Sequence, residues 1–478
     1  MAGSNTRGLE LAAHKAAAAE PIRVVPPPTV AVLALDQGSG EAATPVVRPG
    51  DRVRVGTRVA EAHDSRATTL HAPVAGRVLA IESRATPTGD GPCLLIGNDG
   101  SDEHDDRHAP LDWSRLAPDA VVEVLRAAGV AGHGGAAFPT ASKLAEARRL
   151  DARQLVLNGA ECEPWICCDD ALMRARAGDV VLGALVLMHA MAADRCTVAV
   201  LDDKPEARAA LEAALAGAGD DRLSITTLPA RYPAGAERTL IEAVVGIEVP
   251  RGRWPPSVGV LCHNVATAAA AAAVVRGAPV VSRIVTVTGG GVANPANVEA
   301  RLGTPIADLV ASCGGYVGEP LRLVAGGSMT GRALATDEVP VTLGLTCALA
   351  MTRADLGPRA PERPCIRCGD CATVCPAGLL PQQLLAGLVV GDAAFVERHG
   401  LADCIECGCC DHVCPSAIPL TERFRAARAE ARYAVATREH ADRLRDRYAG
   451  HLRRLSAASE AERRAFETAR TQARGRSE

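Results

Sequence analysis

Aromatic residues are scarce in this chain. Trp, Tyr and Phe number three, four and four in 478 residues, and alanine and valine fill the apolar positions instead. The hydrophobic fraction is still 48%, enough for a large core, so the scarcity reflects compositional habit more than fold. Charge of one sign is missing too. The 52 Lys and Arg stand against 56 Asp and Glu, a net charge of −4, which gives no reason to expect a nucleic-acid partner. No apolar run reaches the roughly 20 residues that span a bilayer. The two best, residues 180–193 and 265–275, are broken by His189 and closed by Arg276. Near the N-terminus Glu10, His14 and Glu20 sit among alanines, without the basic start and apolar centre of a signal peptide. The expectation is a soluble or membrane-peripheral protein of about three to four domains.

Cysteine, by contrast, is plentiful. Twelve-residue runs at 365–376 (CIRCGDCATVCP) and 404–415 (CIECGCCDHVCP) both have the form C-x2-C-x2-C-x3-C-P. That spacing wraps a loop so that three thiolates reach one iron–sulfur cube, while the fourth cysteine ligates the other cube. Cys365, Cys368, Cys371 and Cys414 are therefore expected on one [4Fe-4S] cluster, and Cys404, Cys407, Cys410 and Cys375 on a second. Zinc would need one set of four ligands rather than two duplicated runs. A disulfide framework belongs to small secreted domains. Cys409 is surplus, a bystander thiol in a crowded loop. The nine thiols outside the ligand set, of seventeen in all, suggest a reducing compartment.

The rest of the chain reads as several modules. After an extended lead-in, short alternating segments between residues 29 and 81 imply small strands and turns. Residues 117–128 have helical spacing and lead into GHGGAAFPT at 132–140. Thr140 is a candidate N-cap for a helix over 141–150, with Lys143 in its first turn. Glycines feeding a helix N-terminus make a phosphate cradle, because bare backbone N–H groups can face an anion. Residues 132–137 match G-x-G-x-x-A, but a helix precedes them where a dinucleotide fingerprint needs a strand, and a simple packing turn stays open as an alternative. Strands expected at 154–157, 196–201, 223–228 and 258–262 alternate with helices, which implies a parallel or mixed α/β sheet. Ligands bind beyond the carboxyl ends of such strands. Three polar loops, at 158–163 (NGAECE), 231–238 and 263–264, fall there. Residues 283–330 suggest a compact α+β unit, residues 337–353 a linker helical in its second half, and residues 420 to about 474 a charged helix, solvated on the simplest reading.

These motifs, in this order, resemble the C subunit of the Rnf ion-translocating NAD:ferredoxin electron-transport complex. The middle is similar also to the flavin subunit of respiratory complex I. The region around "VRPGDRVRVGTRVA" and "HAPVAGRV" resembles a barrel-sandwich module of the biotinyl/lipoyl type, without a Lys at its tip near residues 64–66. The resemblance implies a multidomain α/β and α+β chain. Its parts would be a lead-in and barrel-sandwich module (1–110), an FMN/NADH-binding α/β domain (111–280), a β-grasp, SLBB-like domain (281–335), a 2[4Fe-4S] ferredoxin-type domain (336–425) and a charged helical tail (426–478). It implies that Gly132, Gly134, Gly135 and Lys143 hold the FMN phosphate and that Asn158 and Asn264 touch the flavin. Glu161, Glu163 and Glu237 would line the side that takes NAD(H), and Phe138 would offer a stacking face. It implies a peripheral subunit on the cytoplasmic face of a bacterial inner membrane, with integral and peripheral subunits as partners. Ala137, Ala236 and Ala266 stand where the family has glycine. A soluble cobalamin reductase of the same architecture, or an iron–sulfur relay with a lapsed flavin pocket, are the competing readings.

Overall fold

The computed structural model describes residues 7–318, 320–358 and 360–474. It divides into two compact units: residues up to Gln382 together with Cys407–Ile418, and Gln383–Glu406 together with the chain from Pro419 onward. Each is described by itself.

In the first unit a short strand, β1 (Arg23–Val24), precedes a module of two antiparallel sheets. β2 (Val30–Ala34), β4 (Arg52–Val53), β7 (Gly76–Thr86) and β8 (Gly89–Asn98) form one sheet, in the order β2-β8-β7-β4. β3 (Thr44–Pro45), β5 (Arg58–Glu61) and β6 (Leu70–His71) form the other. Gly76 is required where β7 meets β8. Its φ is +150°, and a Cβ there would stand 1.9 Å from the Gly97 carbonyl oxygen. The tip near residues 64–66 is tied down: Arg66 Nη2 donates to Ser39 O at 2.9 Å, and Ser142 Oγ donates to Ser65 O at 2.6 Å. A tip anchored at both sides cannot swing, in keeping with the missing Lys.

The next layer holds α1 (Pro118–Ala127), α2 (Thr140–Arg149) and a four-stranded sheet. Its strands are β9 (Gln154–Gly159), β10 (Arg195–Leu201), β11 (Leu223–Leu228) and β12 (Val260–Asn264), in the order β11-β10-β9-β12 and all parallel. Between them run α3 (Cys168–Ala175), α4 (Ala177–Met191), α5 (Pro205–Ala218) and α6 (Glu237–Val245), with α7 (Val265–Val275) after β12. The two apolar runs of the sequence become the packed pair α4 and α7. They cross so closely that a Cβ on Gly183 would lie 1.8 Å from Ala268 O. Among the described residues no helix is long and apolar enough to cross a membrane.

β13 (Ser282–Thr288), β14 (Ala296–Arg301), α8 (Ile306–Ser312), β15 (Arg322–Ala325), β16 (Arg332–Leu334) and β17 (Cys347–Met351) follow, and the six-stranded sheet runs β1-β14-β13-β17-β15-β16. Two expectations are corrected. The second half of residues 337–353 is strand β17, not helix. All five of its side chains are buried between β13 and β15, a place only a central strand can fill. Thr140 is the first helical residue of α2, with Pro139 at the cap position, and its buried hydroxyl has no partner among the described residues. Then come α9 (Arg353–Leu356), α10 (Asp370–Thr373), α11 (Pro381–Val390), α12 (Ala393–Arg398), α13 (Cys409–His412) and the 55-residue α14 (Leu420–Arg474).

Gly183→Val should cost about 3 kcal/mol or more, because backbone rather than a movable side chain fills the space. Gly178→Ala, in the same helix but facing open space, should be neutral or gain up to about 1 kcal/mol. Thermal melts of the two variants check this, and equal melting temperatures would contradict it.

Candidate flavin pocket and iron–sulfur centres

The parallel pairing of β9 with β12 sets Asn158 and Asn264 level with each other at the carboxyl edge of the sheet. Asn158 Nδ2 donates to Gly235 O at 2.8 Å, and its Oδ1 accepts from Ala160 N at 3.1 Å. Asn264 caps α7, its Oδ1 accepting from Ala266 N at 2.8 Å. The glycine loop lies on that cap: a Cβ at Gly134 would meet Asn264 Cβ at 3.2 Å. Gly134, Gly135 and Ala136 are exposed, and a Cβ on Gly135 would project into open space. One turn into α2, Lys143 Nζ donates to Glu237 Oε1 at 2.7 Å and to Cys262 O at 3.1 Å. Burial works against its ammonium, but Glu237 and Cys262 together hold the Lys143 pKa above its ordinary value. Phe138 stands edge-on to Trp254, centroids 5.8 Å apart. Gly134, Lys143, Asn158, Glu237 and Asn264, far apart in sequence, are thus gathered at the carboxyl edge of the sheet. The start of α2, the start of α6 and the capped start of α7 surround it. An open bare-backbone loop, helix N-termini and an ammonium make a donor set that fits a phosphorylated ring such as FMN.

Ala137 carries a left-handed φ of +46°, which costs a non-glycine residue about 1–2 kcal/mol. Its methyl is fully buried, 3.4 Å from where a Cβ on Gly38 would stand. It packs toward Gly38 of the barrel-sandwich module. Ala236 is the half-exposed residue before α6, and Ala266 lies in the first turn of α7.

Two of the expected acidic residues face other partners. The Glu161 carboxylate accepts from Asp169 N at 2.8 Å and Asp170 N at 3.1 Å, so it caps α3. Glu163 accepts from Met329 N at 3.0 Å, Thr330 N at 2.8 Å and Thr330 Oγ1 at 2.7 Å, pinning the loop between β15 and β16. Glu161, Cys168 and Asp169 offer ligand atoms all within 4.8 Å of one another.

Sequence reasoning missed a buried layer beneath Asn264. Asp169 Oδ2 accepts from Asn264 Nδ2 at 2.6 Å. Burial, and then the neighbouring Glu161 charge, push its pKa up to about 7. Arg283, also buried, donates to His133 O at 3.1 Å and to Leu343 O. His133 donates Nδ1–H to Ala131 O, and burial, then Arg283, push its pKa down to about 3. A cavity of about 520 Å³ is lined by Asp169, Cys168, His133, Arg283 and Glu299. Nothing local in the run CCDDALM distinguishes Asp169 from Asp170 as the one held by Asn264; only the helix phase does so.

The two cysteine runs adopt the same backbone. Arg367 and Glu406 have φ of +57° and +55°, and the glycines two residues on, Gly369 and Gly408, have +89° and +75°. Cys409 corresponds to Asp370, the first residue of the short helix; its thiol is fully buried beside Leu9 and Tyr232 and is hydrogen-bonded to the Cys407 side chain. Cys365 Sγ accepts from Arg367 N at 3.4 Å and Cys375 Sγ from Leu379 N at 3.4 Å, bonds suited to thiolate sulfur. Burial raises the Cys375 pKa, and Cys407 is close enough to raise it further; Cys371 is raised by burial, with Cys368 and Cys365 nearby. Cys375 therefore lies by the second run and Cys371 within the first. In the second unit Arg428 donates to Cys404 O at 2.7 Å. The thiol-rich loops fit iron–sulfur clusters, and Tyr232 ties one of them to the sheet edge. Its hydroxyl donates to Cys407 O at 2.6 Å, and Cys162, packed beside it, accepts from Gly235 N at 3.2 Å.

Four family models match: the RnfC barrel sandwich hybrid domain over residues 4–101, the Nuo51 FMN-binding domain over 125–273, the SLBB domain over 284–333 and the 4Fe-4S dicluster domain over 364–418. The chain is similar to proteins named as the C subunit of the ion-translocating oxidoreductase complex. Identity is 43% over 465 residues for that of Pseudomonas aeruginosa, covering 96% of this chain and 59% of the relative. It is 38% over 428 residues for Rhodobacter capsulatus, covering 88% and 82%. For Haemophilus influenzae it is 39% over 415 residues, covering 86% and 63%. The chain thus spans less than two thirds of the Pseudomonas and Haemophilus relatives.

Asp169 gives the layer a pH signature. Its folded pKa, about 7, lies above the ordinary 3.8, so the folded state holds the extra proton and stability falls as pH rises between those values. Asp169→Asn keeps an oxygen for Asn264 Nδ2 and should flatten the melting temperature across that interval. An unchanged slope in the variant would assign the titration elsewhere.

Proposed function

This chain belongs to the family formed by the C subunit of the ion-translocating oxidoreductase complex, and on that premise we propose that it is the peripheral subunit where NADH is oxidised. Electrons would pass from there through FMN to two [4Fe-4S] clusters. The observation that carries the proposal is the short path from sheet edge to cluster loop: Asn158 to Gly235, Gly235 to Cys162, and Tyr232 to Cys407. It supports the reading that the cluster at the Cys407 loop is the one nearest the flavin.

The division of labour follows from the residues. Gly134 and Gly135 would offer backbone N–H groups to a phosphate, while the Gly132 N–H is spent on Phe138 O at 2.9 Å and closes the loop, and Lys143 supplies the positive charge, oriented by Glu237. Asn158 and Asn264 present amides at the sheet edge for the ring. Phe138 and Trp254 offer apolar surface for stacking. Glu163 holds the loop at 327–330 and Glu161 the start of α3, so both shape the nicotinamide side by positioning what borders it. FMN, when bound, supplies the means to accept an electron pair from a hydride and to release electrons singly. The buried layer of Asp169 and Arg283 keeps Asn264 in one orientation while that happens. The Ala137 methyl is buried in the core, which weighs against one of the three alanine replacements that motivate the lapsed-pocket reading.

The complex's other subunits are the partners we propose, and the cytoplasmic face of the membrane the location. Co-purification with integral membrane subunits separates this reading from a soluble cobalamin reductase.

Anaerobically reconstituted protein should contain FMN, iron and sulfide, and NADH should bleach the clusters. Lys143→Ala should weaken FMN binding about tenfold or more, the scale of one charge-assisted bond, with iron content unchanged. Iron and sulfide without flavin or any NADH response would overturn the proposal in favour of a relay. Cys375→Ala should disturb the EPR signal of the cluster nearest the flavin and spare the other. Loss of only the cluster of Cys365, Cys368 and Cys371 would refute the cross-ligation.

A further inference from the structure

α14 carries a pattern that the redox chemistry does not use. Tyr433, Leu444, Leu455 and Phe466 recur every eleven residues, and Tyr448 and Leu452 fall between them. At about 100° per residue, eleven residues make three turns with a drift of only about 20°. The six side chains therefore form one continuous stripe, about 50 Å long. All six are exposed, Tyr433 by 76% and Phe466 by 69%.

The charges are sorted around that stripe. Between residues 432 and 470 there are ten arginines and six carboxylates. Arg447, Arg454 and Arg443 flank one edge, and Arg445, Arg463 and Arg438 flank the other, each about 80–120° from the stripe's centre. Glu439, Asp442, Asp446 and Glu460 lie on the opposite face together with Arg432, Arg453 and Arg464, and Glu460 pairs with Arg464 at 3.9 Å; Glu467 lies at an edge. Thr437, His451 and Glu462 also fall within the stripe, and the one carboxylate among them, Glu462, lies just before Phe466, so the segment without a carboxylate on the stripe is 433–455.

An apolar stripe with cations along both edges and anions behind it has the form of a helix that lies in an anionic lipid interface. Arginine stems lie along the apolar boundary while their guanidinium groups reach phosphate. An eleven-residue repeat would also suit a right-handed supercoil, but a second copy of the helix would set arginine rows against arginine rows. We propose that residues 433–466 bind the surface of an anionic phospholipid bilayer, lying parallel to it. The proposal does not rest on the flavin reading.

The test is vesicle co-sedimentation of the full, cluster-loaded chain. Vesicles of phosphatidylcholine alone are compared with vesicles that also contain phosphatidylglycerol. The chain should sediment with the anionic vesicles only and should be released by raised salt. L444E/L455E should cut binding about tenfold or more, while the cluster absorbance stays as in the parent. R447E/R454E keeps the stripe and should remove the preference for phosphatidylglycerol. Three results would overturn the proposal: parent protein that stays in the supernatant with both vesicles, undiminished binding by L444E/L455E, or light scattering that shows a dimer dissolved by L444E/L455E without vesicle binding.

Discussion

The parallel register of β9 against β12 is the constraint on which the pocket depends. It places Asn158 opposite Asn264, and from those two residues the rest follows. Asn264 ends its strand as the cap of α7, receives the glycine loop at Gly134 and hands its amide to the buried Asp169. Asn158 holds the Gly235 turn, which brings α6 and Glu237 up to Lys143. A slip of one residue in either strand would turn its asparagine to the other face of the sheet.

The pocket is braced from outside its own domain. The barrel-sandwich tip at Ser65 is bonded by Ser142 of α2, Gln37 accepts from Leu343 N at 2.8 Å, and Ala137 packs toward Gly38. The N-terminal lead-in adds a second brace. Lys15 donates to Glu161 O at 2.7 Å, His14 stacks on Trp165 at 4.4 Å, and Leu9 exchanges backbone bonds with Tyr232. A glycine-rich loop has little rigidity of its own, so contacts of this kind supply the preorganisation that a cofactor site needs.

Several features could be read from residues alone because their chemistry is local. Iron–sulfur ligand spacing is set within twelve residues, and the two loops share one backbone conformation as their matching sequences imply. Strand and helix alternation from 154 to 275 was legible through short apolar runs closed by polar loops. The stretch at 347–351 was not. CALAM suits a helix by propensity, but the gap between β13 and β15 makes it a strand, an instance of tertiary context overriding local preference.

By itself, the sequence determined the module order, the presence of the 4Fe-4S dicluster domain and the family, since each rests on neighbours along the chain. Only the tertiary structure decided which acids meet which partners. Glu161 and Glu163, two residues apart, serve α3 and the loop at 327–330 respectively, and Asp169 rather than Asp170 lies under Asn264. Burial then made Asp169 a group that titrates near neutrality. The reason is physical: desolvation and the phase of a helix depend on what packs above a residue, and that is contributed by segments about a hundred residues away.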